Sequence, residues 1–174
     1  MRLAKLAGAF GLTGSMLVCG AQAKGPACAK PEEVSAIQTA AIQQELMVAA
    51  LTCNEISRFN AFQTGFAPEL RRSDATLARM FKRLYGPRGG EAAYHTFKTK
   101  LANDASMRSI HDNPSYCQEA GSWLAGALVS AKPALFTFVN SVQVTITTRP
   151  AEACSGGSEA AQTITIHRKR HRAG

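Results

Sequence analysis

The chain has 174 residues, of which 45% are hydrophobic, so it is large and apolar enough to form one domain with a proper core. No stretch beyond the N-terminal segment is long and apolar enough to cross a membrane, which argues against an integral membrane protein. The formal net charge is +8, and the basic residues are concentrated between Arg71 and Arg108 and in the C-terminal run from His167 to Arg172.

Residues 1–23 have the pattern of a secretory signal peptide. A short basic region precedes the uncharged, mostly apolar run Leu6–Val18, and Ala21-Gln22-Ala23 supplies the small residues that a signal peptidase accepts. We therefore expect cleavage after Ala23 and export to the periplasm or the medium. A lipid anchor on Cys19 is the alternative, and the bulky Val18 before it argues against that processing.

Export would leave four cysteines in an oxidising compartment, and this even number predicts two disulfides. The four are Cys28, Cys53, Cys117 and Cys154. They allow three pairings, which sequence does not formally resolve. Cys53 and Cys117 lie inside helical patterns, whereas the other two lie in segments rich in Gly, Ala and Pro, and this context favours two nested bridges. There is no CxxC spacing, so we do not expect these cysteines to bind a metal. No other cofactor is predicted.

A tether is predicted over residues 24–33, and the first predicted helix begins within its last residues, at Pro31. Proline is tolerated in the first turn of a helix, and the carboxylates of Glu32 and Glu33 complement its positive end. The helix should run to about Cys53. Its apolar residues lie on more than one face, which predicts a central rather than a surface position.

Two helices are predicted next. Asn54 is a plausible N-cap for a second helix with an aromatic stripe, which Ala67-Pro68 interrupts. Ser73 or Asp74 would cap a third helix with strictly periodic apolar residues, and Gly86 would end it in a turn over residues 86–90.

Fourth and fifth helices are predicted from about Glu91 to Ile110 and from about Ser115 to Ala131. Residues 134–139 suggest one more helical turn. Beyond them, Val142–Thr148 and Gln162–His167 alternate apolar and polar residues, so each is a candidate strand. The overall prediction is an all-α bundle of about five helices over residues 34–140. The extension over residues 141–174 is expected either as a hairpin docked on the bundle or as a disordered tail.

Several short segments resemble a group of small exported bacterial proteins with no assigned biochemistry. They are LMVAALTC, RFNAF, the SD before the third helix, YHTFKTKLAND, RSIH and SYC. The resemblance covers about Val34 to Ala131 and includes both Cys53 and Cys117, so it supports their pairing. It implies no activity, and it does not reach the basic tail.

No catalytic residue is predicted. His95 and His111 are the histidines of the helical body, and His111 lies beside Asp112 with Ser109 nearby. Neighbours in sequence do not face one another at a helix end, and neither GxSxG nor HExxH is present. A hydrolase-like enzyme with an unrecognised site near His95 or His111 is the alternative hypothesis.

The basic residues give the stronger functional indication. Arg79, Lys82 and Arg83 lie on the face of the third helix opposite its apolar stripe. The C-terminal run adds further candidate binding residues, namely Arg168, Lys169, Arg170 and Arg172. Our main hypothesis is a non-enzymatic envelope protein, structural or binding, that contacts an anionic polymer, a lipid headgroup or an acidic protein. Nucleic acid is not the partner that we expect, and the sequence leaves the oligomeric state open.

Overall fold

Helix α1 is the axis of the domain, and the other helices pack around it. The computed structural model describes residues 27–154, in which the helices are α1 (Pro31–Thr52), α2 (Ile56–Gly65), α3 (Ala67–His111), α4 (Asn113–Ala127) and α5 (Leu135–Ser141). The described part of the chain contains no strand, and its one isolated β-bridge joins Ala29 to Ala153. The predicted all-α bundle is confirmed.

Two apolar clusters share α1, which explains why its apolar residues are not confined to one face. Its C-terminal half, with Ile42 and Leu46, packs with α2, α4 and α5 around Phe62 and Phe66. Its N-terminal half, with Ile37 and neighbouring alanines, packs against α3. Because both clusters include residues of α1, this helix joins them into one core.

Helix α3 reverses direction at Gly86 and forms two antiparallel arms. Gly86 has φ 78° and ψ 171°, a backbone conformation that residues with a Cβ rarely adopt. The first arm (residues 67–85) and the second arm (residues 87–111) then pack together, with the ring centroids of Phe81 and Phe97 5.4 Å apart. The sequence predicted a break at Gly86 with a turn over residues 86–90. In the structure the break is at Gly86, but this residue alone is non-helical and the second arm begins directly at Pro87, which the first turn of a helix tolerates.

We expect Gly90→Ala to lower the free energy of unfolding by about 2 kcal/mol, because it overpacks the contact between the two arms. A Cβ on Gly90 would lie 2.6 Å from the Lys82 Cα and 2.8 Å from its backbone nitrogen. Gly89→Ala is the matched control, since its Cβ would meet only the Tyr85 Cβ at 3.7 Å. Urea denaturation of both variants measures the difference. Equal stability of the two would contradict the close approach of the arms.

Two predicted helix caps are wrong. Asn54 does not cap α2, which begins at Ile56; instead Asn54 adopts a left-handed conformation (φ 59°) that asparagine tolerates, and it lies in the turn between α1 and α2. Ser73 and Asp74 do not cap the third helix either, because α3 already begins at Ala67 with Pro68 in its first turn.

The segment after α5 packs on the helices up to Cys154, rather than beginning a loosely attached extension at residue 141. No strand forms over Val142–Thr148, but Val144 and Ile146 pack against the apolar clusters. The Ala29 N–H donates to the Glu152 carbonyl at 2.7 Å. The alternation that suggested a strand therefore has another cause, since every second residue packs on the helices. The second candidate strand, Gln162–His167, lies outside the described residues.

Both disulfides favoured by the sequence context are present. The Cα atoms of Cys53 and Cys117 are 5.4 Å apart, and those of Cys28 and Cys154 are 4.9 Å apart. The inner bridge ties the end of α1 to α4, and the outer bridge ties the two ends of the described chain together. The bridges fit a periplasmic or extracellular protein. None of the helices within residues 27–154 is long and apolar enough to span a bilayer.

Candidate anion-binding surface

The outer face of the first arm of α3 carries a row of exposed cations, which we call the basic stripe. It comprises Arg71, Arg72, Arg79 and Lys82. At 100° per residue these four positions fall within an arc of about 100° and extend over about 16 Å of helix. The buried residues of the same arm, including Leu77 and Met80, lie on the opposite side. Burial of one face therefore projects the stripe into solvent.

None of the four cations forms an ion pair with another described residue. The ion pairs within residues 27–154 use other basic groups, and within the stripe Arg79 only donates to the Thr76 hydroxyl at 2.9 Å. No ion pair within residues 27–154 neutralises their charges, so these charges sum into a local positive potential. The side chains are also long and mobile enough to follow an irregular anionic surface.

Arg83 does not belong to this surface, which corrects its predicted role. Its side chain is only 19% exposed, and its Nη2 lies 2.5 Å from Oε2 of the buried Glu33. The same nitrogen donates to the Cys28 carbonyl at 2.9 Å. Arg83 lies at the edge of the basic arc, where α1 approaches α3, so Glu33 pairs with it. Its role here is to join α3 to α1 and to the start of the described chain.

The C-terminal candidates, Arg168, Lys169, Arg170 and Arg172, lie outside the described residues. The predicted signal peptide at residues 1–23 also lies outside them. Both therefore remain predictions from the sequence.

The two histidines of the helical body lie at the surface. His95 is 67% exposed and its Nε2 is 4.0 Å from a Glu91 carboxylate oxygen. His111 lines a cleft of about 450 Å³ together with Asp112, Ser115 and Tyr116. The Asp112 carboxylate is engaged as the cap of α4, where it accepts from the Ser115 N–H at 3.2 Å.

The serine that the sequence places near His111 is also engaged. Ser109 is buried, and its hydroxyl donates to the Ser106 carbonyl at 2.8 Å. No hydrogen bond joins His111 to either Asp112 or Ser109 among those found in the described part of the chain. The three residues thus do not form the hydrogen-bonded series that activates a serine nucleophile. Residues 27–154 also contain no cluster of His, Cys, Asp and Glu arranged to hold a metal.

A polar cluster missed by the sequence analysis joins the two arms of α3. The Tyr94 hydroxyl donates to Asp74 Oδ1 at 2.7 Å, and Lys98 Nζ donates to the same oxygen at 2.9 Å. Burial opposes ionisation of Asp74, but these two hydrogen bonds outweigh it and hold the pKa of Asp74 below its usual value. Burial and the hydrogen bond to Asp74 raise the pKa of Tyr94. A tyrosine acting as a base needs the opposite shift, so the cluster fits a structural role.

A second missed cluster surrounds Glu45, a carboxylate in the apolar C-terminal half of α1. Arg108 Nη1 lies 2.7 Å from Glu45 Oε1, and Arg108 Nη2 lies 2.6 Å from Glu119 Oε2. The Tyr116 hydroxyl donates to the Glu45 carbonyl at 2.7 Å. Glu45 Oε2 is buried and has no hydrogen-bond partner among the described residues. Burial raises the pKa of Glu45, and the nearby Arg108 only partly offsets this.

These two clusters had only partial signals in the sequence. Glu45 is the only charged residue between Glu33 and Glu55, which indicates a buried partner without identifying it. Tyr94 and Lys98 are four residues apart on one helix, but Asp74 joins them only because α3 reverses at Gly86.

No protein-family model matches the chain, and neither the curated proteins nor the solved structures contain a match. The resemblance to small exported bacterial proteins stays a prediction from the quoted segments.

Proposed function

We propose that this chain is an exported, non-enzymatic protein of the cell envelope that binds an anionic polymer or lipid headgroup through the basic stripe. The observation that carries this proposal is the set of four exposed cations on one face of α3, none of which is in an ion pair with a residue of the described range 27–154. The neighbouring Arg83 is paired with Glu33 and is therefore not counted among these cations.

The disulfides and the predicted signal peptide support the cellular setting of the proposal. An envelope offers phosphate-rich lipid headgroups and acidic polymers, and either would be attracted to a row of guanidinium and ammonium groups. The predicted basic tail at residues 168–172 would add to the same attraction. No specific observation favours the alternative of a hydrolase-like enzyme, because Ser109 and Asp112 are engaged in structural hydrogen bonds.

We expect the variant Arg79→Gln with Lys82→Gln to bind anionic phospholipid vesicles about 25-fold more weakly than the wild type. Each basic residue near such a surface contributes about 1 kcal/mol to the binding free energy. The loss of two such residues therefore costs about 2 kcal/mol, which corresponds to about 25-fold in affinity. Co-sedimentation with phosphatidylglycerol vesicles measures the effect, and calorimetric titration measures binding to a soluble polyanion such as polyphosphate. The wild-type affinity should also fall steeply with added salt.

The matched control is Lys100→Gln with Arg149→Gln, which removes the same charge from two exposed residues outside the stripe. Its affinity should change much less. If both double variants lose the same affinity, net charge rather than the stripe controls binding. If neither variant loses affinity for vesicles or polyphosphate, the proposed function is wrong.

A further inference from the structure

A cleft of about 500 Å³ opens at one end of the basic stripe. It lies between the start of α1, the first arm of α3 and the start of α5. Its apolar lining includes Ala36, Leu135 and Phe136, and its basic lining residue is Arg72 of the stripe. An apolar surface and a row of cations therefore meet at one place on the molecule.

Phe136 is the notable apolar residue of this cleft, because its side chain is 64% exposed. The exposure does not result from a loosely held helix. Leu135, Phe138 and Val139 of the same helix are each at most 4% exposed and belong to the core. The orientation of α5 thus holds the Phe136 ring in solvent.

The start of α5 is also fixed to α3 by a hydrogen bond. The Leu135 N–H donates to Glu69 Oε1 at 2.9 Å, and Lys132 Nζ lies 3.6 Å from the other oxygen of the same carboxylate. Glu69 and Arg72 are three residues apart and therefore share one side of α3. These contacts hold the start of α5 against α3, so that Phe136 and Arg72 line the same cleft.

We propose that this face binds the surface of an anionic phospholipid bilayer, with Phe136 inserted between the lipids and the basic stripe on their phosphates. The proposal rests on the proposed function and narrows its partner class to lipid. A soluble polyanion can satisfy the cations but offers nothing to an exposed aromatic ring. A bilayer interface presents negative charge and an apolar layer within a few ångströms of each other, and an apolar side chain beside basic residues matches both.

Glu32 allows a test in which the affinity for vesicles should rise rather than fall. It lines the same cleft, is exposed, and forms no ion pair among the described residues. A negative charge at this position is repelled by an anionic bilayer. Glu32→Gln should therefore strengthen binding to phosphatidylglycerol vesicles, whereas binding through a distant face would leave the affinity unchanged and would count against the proposal.

The decisive experiment compares Phe136→Ser with the wild type on phosphatidylglycerol vesicles and on polyphosphate. We expect about tenfold weaker binding to vesicles, because part of the transfer free energy of a phenylalanine side chain is lost. Binding to polyphosphate should not change. The control is Ile110→Ser, which removes an apolar side chain that is 76% exposed and does not line this cleft. Circular dichroism melting verifies that each variant folds.

The outcomes separate this proposal from the proposed function. If Arg79→Gln with Lys82→Gln weakens binding to both probes but Phe136→Ser has no effect, the stripe binds anions and the lipid proposal is wrong. If the charge variant has no effect on either probe, the proposed function is wrong and the lipid proposal fails with it. If light scattering shows that Phe136→Ser converts a dimer into a monomer, a second copy of the chain covers the ring and the lipid proposal is overturned.

Discussion

Replacing Cys53 and Cys117 together with serine is expected to lower the free energy of unfolding by about 4 kcal/mol. The bridge joins residues 64 apart in the chain, and a cross-link over a loop of this length removes that much conformational free energy from the unfolded state. It also holds the end of α1 against α4, where both cysteines pack against the apolar cluster around Phe62 and Phe66. Urea denaturation of the two proteins under oxidising conditions measures the loss.

The outer bridge provides the comparison for this prediction. Cys28→Ser with Cys154→Ser should release the segment after α5, because without the bridge it is held by a few backbone and side-chain hydrogen bonds and by a few apolar contacts. We expect limited proteolysis within residues 142–154 of this variant, with most of its helical circular dichroism retained. If the inner-bridge variant unfolds at the same urea concentration as the wild type, the bridge does not constrain the unfolded chain as argued.

Arg108→Met is expected to lower the free energy of unfolding at pH 7.5 by about 3 kcal/mol. Arg108 pairs with Glu45, whose side chain is only 6% exposed, and removal of one partner of a buried pair leaves the other charge uncompensated. The stem of methionine fills much of the space that the arginine stem occupied, so the loss reports mainly on charge. Chemical denaturation at fixed pH measures it.

The pH dependence of this loss follows from the pKa of Glu45. Burial raises that pKa in the folded protein above the ordinary value, so the folded state binds the proton more tightly than the unfolded state. Stability contributed by this group therefore falls as pH rises from the unfolded pKa through the folded pKa. Loss of Arg108 raises the folded pKa further, because Arg108 lowers it in the wild type. The deficit of Arg108→Met should consequently be smaller at pH 5 than at pH 7.5.

Two variants test whether the buried charge is the cause. Arg108 also pairs with Glu119, whose side chain is 40% exposed. Because this pair is exposed, Glu119→Gln should lower the free energy of unfolding by less than about 1 kcal/mol. Adding Glu45→Gln to Arg108→Met removes the stranded charge and should recover part of the lost stability. A double variant that is no more stable than Arg108→Met alone would contradict the explanation.

The helices were largely predictable because their signals are local. Pro31 with its two following glutamates marks the start of α1, and Gly86 marks the reversal of α3. The cap assignments at Asn54 and Ser73 failed because asparagine also suits a left-handed turn and because a proline can open a helix as well as end one. The alternation over residues 142–148 was misread because a chain packed against helices also buries alternate residues.

The candidate site was predictable only in part. The position of the cations on one face of α3 follows from helical periodicity, and four of them are exposed and form no ion pair with the residues that the structure describes. The role of Arg83 could not be predicted, because its partner Glu33 is 50 residues away in sequence. The exposed ring of Phe136 beside Arg72 was equally inaccessible, since nothing local indicates which face of a short helix will be buried.

The sequence by itself determined the helical class, the charge distribution and the even number of cysteines expected after export, because each depends on residue type and short-range spacing. Only the tertiary structure decided which charges are paired inside the protein and which face solvent. Ion pairs form between helices, as in Arg83 with Glu33 and Arg108 with Glu45, and their partners are brought together by the packing of α3 and α1. The same packing leaves the basic stripe exposed and places the exposed Phe136 on the cleft that Arg72 also lines.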